Sequence, residues 1–194
     1  SFDKHTEDDY IDFYNERNVP VMLSREGPQA TTADVNGDGL TDIYIAGATG
    51  QTGQLYMQTT TGFQKKTDSV FIRNKGMEDV TALFFDADKD GDADLFIGAG
   101  GNTQPKGSNM LRHRLYKNDG KGNFTEAIST FPVNTMNISV TVANDYDNDG
   151  DNDLFIGGRN VPMSYGTAAS SSLLMNDGNG KFTDITTAVI PALN

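Results

Sequence analysis

One acidic loop, written three times, constrains this chain more than any other feature. Asp145-Tyr-Asp-Asn-Asp-Gly-Asp-Asn-Asp153 sets five carboxylates at alternate positions around one glycine and runs into the apolar Leu154-Phe-Ile-Gly-Gly158. A near copy is Asp86-Ala-Asp-Lys-Asp-Gly-Asp-Ala-Asp94 followed by Leu95-Phe-Ile-Gly98, and a third is Asp34-Val-Asn-Gly-Asp-Gly-Leu-Thr-Asp42 followed by Ile43-Tyr-Ile-Ala46. The loops begin at 34, 86 and 145, steps of 52 and 59 residues. An internal repeat of that length decides architecture before any local reading does.

Each repeat carries four short strand-like pieces. The first precedes the loop (29–33, 80–85, 139–144) and the second follows it (43–46, 95–98, 154–157). The third is Leu55-Tyr-Met57, Leu115-Tyr-Lys117 and Leu173-Leu-Met175, and the fourth starts at Phe63, Phe124 and Phe182. Asn118-Asp-Gly-Lys-Gly-Asn123 and Asn176-Asp-Gly-Asn-Gly-Lys181 stand between the third and fourth pieces. They read as hairpin turns, because Asp-Gly and Asn-Gly accept positive φ at little cost. Four-stranded antiparallel units repeated at this spacing imply an all-β fold of β-propeller blades. The division expected is an N-terminal segment over 1–28, blade 1 over 29–79, blade 2 over 80–138 and blade 3 over 139–194. Residues 1–28 do not match the repeat, end on the Gly27-Pro28 breaker, and read as packed on the first blade, where they could add an outer strand. Propellers close with roughly four to eight blades. Three repeats therefore imply part of a longer chain or closure by self-association, since an open arc leaves strand edges free to pair.

The loops have the donor pattern of a calcium site. Asp145, Asp147 and Asp149 supply side-chain oxygens at positions 1, 3 and 5, the carbonyl of Asp151 follows at 7, and Asp153 closes the shell at 9. The second loop offers Asp86, Asp88, Asp90, the carbonyl of Asp92, and Asp94; the first offers Asp34, Asn36, Asp38, the carbonyl of Leu40, and Asp42. Oxygen-only ligation rich in carboxylate suits Ca²⁺ better than Zn²⁺, which favours His or Cys, or Mg²⁺, which retains water. The first loop, one carboxylate short, is expected to bind most weakly. An EF-hand is excluded because position 12 of each loop holds an isoleucine, Ile45, Ile97 or Ile156, inside a strand. Loops of this type bind too weakly for cytosolic calcium levels, which implies an extracytoplasmic setting.

The net charge of −12 follows from the same loops. They hold thirteen of the 27 acidic residues and one base, Lys89, so that 14 acids face 14 bases elsewhere. Three divalent ions would bring the charge to −6, and nucleic acid is an improbable partner on this balance. The chain has no cysteine, hence no disulfide or thiolate site. It shows no apolar run near the roughly 20 residues of a membrane span, and its start at Ser1 without a signal peptide reads as a processed or trimmed terminus.

At the loop residues the chain resembles the FG-GAP or VCBS repeat family, the calcium-loop repeat of integrin α-subunit propellers and of many bacterial surface proteins. Ile97-Gly-Ala-Gly100 and Ile156-Gly-Gly158 stand where that family has its Gly-Ala-Pro-like element, without the proline. The likeness spans about 29–187. More loosely, His5-Thr-Glu-Asp-Asp-Tyr10 and Leu23-Ser-Arg-Glu-Gly-Pro28 resemble the start of the propeller region of large secreted bacterial proteins with ASPIC/UnbV modules. The resemblance implies a propeller with calcium between the first and second strands of each blade, and activities from adhesion and glycan binding to polysaccharide cleavage.

A ligand is expected at the end opposite the loops. The connections there carry Lys65, Lys66, Arg73, Lys75, Lys106, Arg112, Arg114 and Arg159 against Asp68, Glu78 and Asp79. Arg112, His113, Arg114, Arg159 and Tyr165 are the candidate contacts to a glycan or an extracellular protein surface, an acidic partner such as a uronic-acid glycan fitting the charge. No catalytic residue is assigned. Imidazole is limited to His5 and His113 and no nucleophile elbow is present, so a binding module is the first reading and a glycan-active enzyme such as a polysaccharide lyase the second.

Overall fold

The computed structural model describes residues 2–25 and 27–193; Ser1, Glu26 and Asn194, which fall in the first and last expected divisions, lie outside the described residues. Twelve strands form three four-stranded sheets, each a simple antiparallel meander. The first is β1 (Ala30–Ala33), β2 (Asp42–Ile45), β3 (Gln54–Thr59) and β4 (Gly62–Lys66). The second is β5 (Asp79–Phe85), β6 (Asp94–Ala99), β7 (Arg114–Asn118) and β8 (Phe124–Ala127), and the third is β9 (Asn137–Asn144), β10 (Asp153–Asn160), β11 (Ser172–Asn176) and β12 (Phe182–Asp184). The all-β blade architecture read from the repeat is therefore present, as three blades without a closed ring.

The blades stack face to face, with β1, β5 and β9 adjacent on the inner side. Strand periodicity explains how the middle blade serves both neighbours. Leu95, Ile97 and Tyr116 point to blade 1, where they pack with Tyr44, Ala46 and Leu55. The intervening Phe96 and Leu115 point to blade 3, against Leu154, Ile156 and Leu174. Each such side chain is close to fully buried and contributes about 1.5–3 kcal/mol. The approach is close: a Cβ on Gly98 would fall 2.1 Å from Ile138 Cδ1, so only glycine permits β6 and β9 to meet there. In β9 a bulge at Ser139 changes the phase, turning Thr141 and Ala143 toward blade 2 and Val140 and Val142 away from it.

The N-terminal segment adds no strand to blade 1. Its described residues hold one short 3₁₀ turn, Asp12–Tyr14, pinned where buried Asp12 accepts from the backbone and hydroxyl of Ser24. Mixed aromatic and charged residues without a period of two cannot bury one face of a strand. Instead Phe2 lies edge-on to Tyr56 at 4.6 Å and beside Phe63, covering the outer face of blade 1. The segment then crosses to the other blades: Thr6 and Lys4 bond Gln51, and Glu16 accepts from Asn102 of blade 2 and from the backbone of Tyr165 in blade 3. Among the described residues no helix is long and apolar enough to cross a membrane.

Candidate metal centre

All three acidic loops link the first and second strands of a blade, at the end where the β3–β4, β7–β8 and β11–β12 hairpins also turn. Sharp turning is achieved by Gly39, Gly91 and Gly150 with φ of 81°, 88° and 89°. Lys89 and Asn148, at position 4, also adopt left-handed backbone, as Gly37 does in the first loop.

The aspartate at position 9 is the most constrained residue of each loop. Asp42, Asp94 and Asp153 are all buried. One oxygen accepts from the backbone N–H at position 2, Val35, Ala87 or Tyr146, at 3.0–3.1 Å. The other accepts from the end of the third strand, Gln58, Asn118 or Asn176, at 2.7–2.8 Å. The carboxylate thus ties loop to hairpin, and its remaining lone pairs stay available to an ion.

Around these anchors the donors converge differently. In the second loop, oxygens of Asp86, Asp88 and Asp94 lie within 4.8 Å of one another; in the third, those of Asp145, Asp147 and Asp149 do. Asp88 Oδ2 meets Lys117 Nζ at 2.8 Å while its buried Oδ1 has no hydrogen-bond partner. Burial pushes Asp94 up to about 6 despite two backbone N–H donors. Burial, then the neighbouring Asp149, also raises Asp147 and Asp151. Burial and like-charge neighbours together make these carboxylates costly to ionise. In the first loop Asp34 is lowered instead, because Gly39, Gly37 and Asp38 donate to it, and Asn36 bridges to Asp38 Oδ2 at 3.0 Å. That loop satisfies more of its acceptors internally than the other two do.

The residues at position 7 are separated by role. The side chain of Asp92 lies against Gly120, where a Cβ would come within 2.6–2.9 Å of the carboxyl, and that of Asp151 lies against Gly178 and Lys89. These carboxylates face the hairpins, which leaves the backbone carbonyls of Leu40, Asp92 and Asp151 as the donors in question. Asp38, Asp90 and Asp149 at position 5 are exposed.

Two interactions were not legible as motifs. Asn118 Nδ2 donates to Val35 O at 2.8 Å and Asn176 Nδ2 to Ala87 O at 2.9 Å, clasping each hairpin to the loop of the preceding blade. Lys89 reaches forward to Asp149 O and Asp151 Oδ2, at 3.4 and 3.5 Å. The signal for the clasp was the asparagine heading both long hairpins, where the first repeat has Gln58.

At the other end, Arg114 is 2% exposed and ion-paired with buried Asp79, so it does not face solvent. Burial disfavours its charge, but Asp79 more than offsets this. Arg112 holds Asn74 Oδ1 at 2.6 Å and Glu126 at 3.4 Å. His113 is enclosed between Phe96 and Phe131, and burial lowers it to about 3, so it stays neutral. Arg112 and His113 line a hollow of about 430 Å³ with Glu126, Ile128, Phe131 and Asn134. Arg159 and Tyr165 are exposed and do not line it. Lys65 pairs with Asp3, and Lys66 bonds the neutral Gly122 O and Asn123; of the bases read from the connections, Lys65, Arg112 and Arg114 are thus paired with acids within the fold.

Residues 34–97 match the FG-GAP-like repeat. That stretch runs from the first acidic loop through the second into β6, and so contains two of the three loops. No curated protein matches the chain. Among solved structures, the chain is similar to a lectin of Agrocybe aegerita described for specific recognition of non-reducing terminal N-acetylglucosamine. The identity is 19% and the TM-score 0.51, over 80% of this chain and 36% of the lectin's. The chain spans little more than a third of that protein's length, and at this identity the likeness is one of fold.

Proposed function

We propose that the chain is a calcium-stapled β-propeller module for extracellular binding, with glycan as the ligand class. Calcium would be held by Asp86, Asp88, Asp90, the Asp92 carbonyl and Asp94, by the equivalent set from Asp145 to Asp153, and least tightly by Asp34, Asn36, Asp38, the Leu40 carbonyl and Asp42. The observation that carries this is the second loop. A buried Asp94, an orphaned Asp88 oxygen and Asp86 converge within 4.8 Å, and burial holds Asp94 well above the usual carboxylate range. A divalent cation would supply further positive charge; the chain's own contribution is to fix Asp86 and Asp94 through backbone N–H bonds and Asp88 through Lys117.

The glycan reading rests on the fold shared with the lectin and on the hollow at the opposite end. Its volume suits one or two sugar rings, with Phe131 and Ile128 as apolar walls and Arg112, Glu126, Ser108 and Asn109 as polar ones. Because Arg114 and Lys65 are already paired, a neutral glycan fits better than the polyanion suggested by charge counting. Secretion, and a surface role like that of integrin-type repeats, accord with millimolar extracellular calcium.

Calorimetry in excess calcium and in chelator, with glycan-array binding of the calcium-loaded chain, tests both parts. Chelation is expected to lower the melting temperature, and Arg112→Ala to reduce glycan signal of the folded, calcium-loaded chain. An unchanged melting temperature rejects the staple; an array unaffected by Arg112→Ala rejects the hollow.

A further inference from the structure

We propose that Lys117 is a built-in counter-charge for the second loop and weakens that loop's hold on calcium. The inference rests on the calcium reading of the loops and goes beyond it, since it gives a role to a residue outside the donor set.

Lys117 occupies a fixed place in the repeat. It precedes Asn118 on β7 and pairs with Thr125, as Met57 precedes Gln58 and pairs with Gln64, and as Met175 precedes Asn176 and pairs with Thr183. Met57 and Lys117 also run the same course, beneath a glycine of the next blade's hairpin. A Cβ on Gly122 would lie 3.2 Å from Met57 Cε, and one on Gly180 would lie 3.3 Å from Lys117 Cε. Two of the three blades place an apolar thioether here, so packing alone does not call for a charge.

What the lysine adds is its ammonium. Nζ donates to Asp88 Oδ2 at 2.8 Å and to Asn179 O at 2.9 Å, and is thereby held between the loop of its own blade and the hairpin of blade 3. Asp88 is the donor at position 3 of the loop, and its Oδ1 is left without a partner. One carboxylate is thus divided, with one oxygen on the ammonium and the other free for an ion. A positive charge fixed there both repels a divalent cation in the loop and draws on the negative charge that Asp88 would offer it.

The other two loops are arranged differently at this point. The first has Asn36 at position 3, whose amide bonds Asp38, and the third has Asp147, which accepts from Asp149 N. Methionine stands in the place of Lys117 in both blades. Lys89 does approach the third loop, but through Asp149 O and the Asp151 carboxylate, neither of which is among its proposed donors.

Calcium is titrated by calorimetry into the decalcified 194-residue chain with its third loop disabled by Asp147→Asn and Asp149→Asn, so that the second loop is the remaining carboxylate-rich site. Lys117→Met, the residue the other two blades use, is expected to tighten calcium about tenfold, the order of effect of removing one charge a few ångströms from a divalent ion near a surface. Lys117→Arg keeps the charge and should stay within about twofold of the parent. Lys117→Gln drops the charge but keeps a donor; it should also tighten calcium, and it covers the case in which the methionine disturbs folding. A lysine that only supported the hairpin would give the opposite sign, weaker binding on its loss. Affinities in Lys117→Met and Lys117→Gln no tighter than the parent's overturn the proposal and leave the calcium reading standing. So does a titration that survives Asp86→Asn, which would place it outside the second loop. No heat of calcium binding in the chain with all three loops intact removes the calcium reading as well.

Discussion

Asp94→Asn separates a carboxylate that serves an ion from one that only holds backbone. Asp94 is fully buried and accepts from Ala87 N at 3.1 Å and Asn118 N at 2.8 Å. An asparagine keeps one acceptor and turns an N–H toward the other donor, so one charge-assisted bond is lost, at about 1.5–3 kcal/mol. Working against that, burial has raised Asp94 from 3.8 to about 6. About two pKa units amount to roughly 3 kcal/mol, and allowance for solvent screening reduces this to about 2 kcal/mol of charge penalty that a neutral amide escapes. In chelator near pH 7.5 the two effects almost cancel, and the variant should lie within about 1 kcal/mol of the parent, less than about 4 °C in melting temperature. In saturating calcium the ion already offsets the charge, so the lost bond and the lost ligand both count and the deficit should exceed about 3 kcal/mol. Paired denaturation curves with and without calcium measure the difference. Equal destabilisation in both conditions would refute the reasoning, because the carboxylate would then be acting on backbone alone.

Arg114→Met leaves Asp79 buried without its partner and should cost about 3–5 kcal/mol in urea denaturation, with Asp79→Leu on the same chain recovering much of the loss. Glu78 has been raised to about 7, chiefly by burial, where it accepts from Thr49 N and Oγ. Its contribution to stability is complete below the unfolded value near 4.5 and is lost as pH rises through about 7, so Glu78→Gln should gain up to about 3 kcal/mol on the parent between pH 5 and pH 8. A pH-independent difference between the two proteins would refute this. Asn118→Ala removes donors from Val35 O and Ala93 O and should cost about 2–3 kcal/mol, against less than about 0.5 for exposed Asn123→Ala, both read from thermal melts.

Repeat spacing made the blades legible because the three loops and the strands after them share one register, and Leu95-Phe-Ile or Leu154-Phe-Ile announces a strand buried on both sides. The N-terminal segment was not legible in the same way. Phe2 packs on Tyr56, a contact between residues 54 positions apart, which no local period encodes. The loop aspartates could be picked out by spacing, but not the fact that Asp42, Asp94 and Asp153 each hold two backbone N–H groups, since that depends on where a hairpin returns. Charge summed along the connections does not show which bases are paired, for a related reason. Arg114 and Asp79 are 35 residues apart and meet in the interior, while Asp3, the partner of Lys65, arrives from a segment that the repeat does not contain.

The position 9 carboxylates and the hairpin asparagines form a single relay through the molecule. Asp42 accepts from Val35 N, Val35 O accepts from Asn118, and Asn118 N donates to Asp94. Asp94 accepts from Ala87 N, Ala87 O accepts from Asn176, and Asn176 N donates to Asp153, which accepts from Tyr146 N. Asp42 and Asp94 each bond the residue, Val35 or Ala87, whose carbonyl joins its blade to the next. Drawing negative charge toward a cation weakens what Asp94 offers Ala87 and Asn118, whereas neutralising the repulsion among Asp86, Asp88 and Asp94 holds the loop in the shape that presents Ala87 O. Burial is the largest cause of the rise in Asp94, and an ion that offsets that cost leaves both of its backbone bonds in place. Ion binding at the second loop and the packing of blade 3 on blade 2 should accordingly reinforce each other through Ala87 and Asn176.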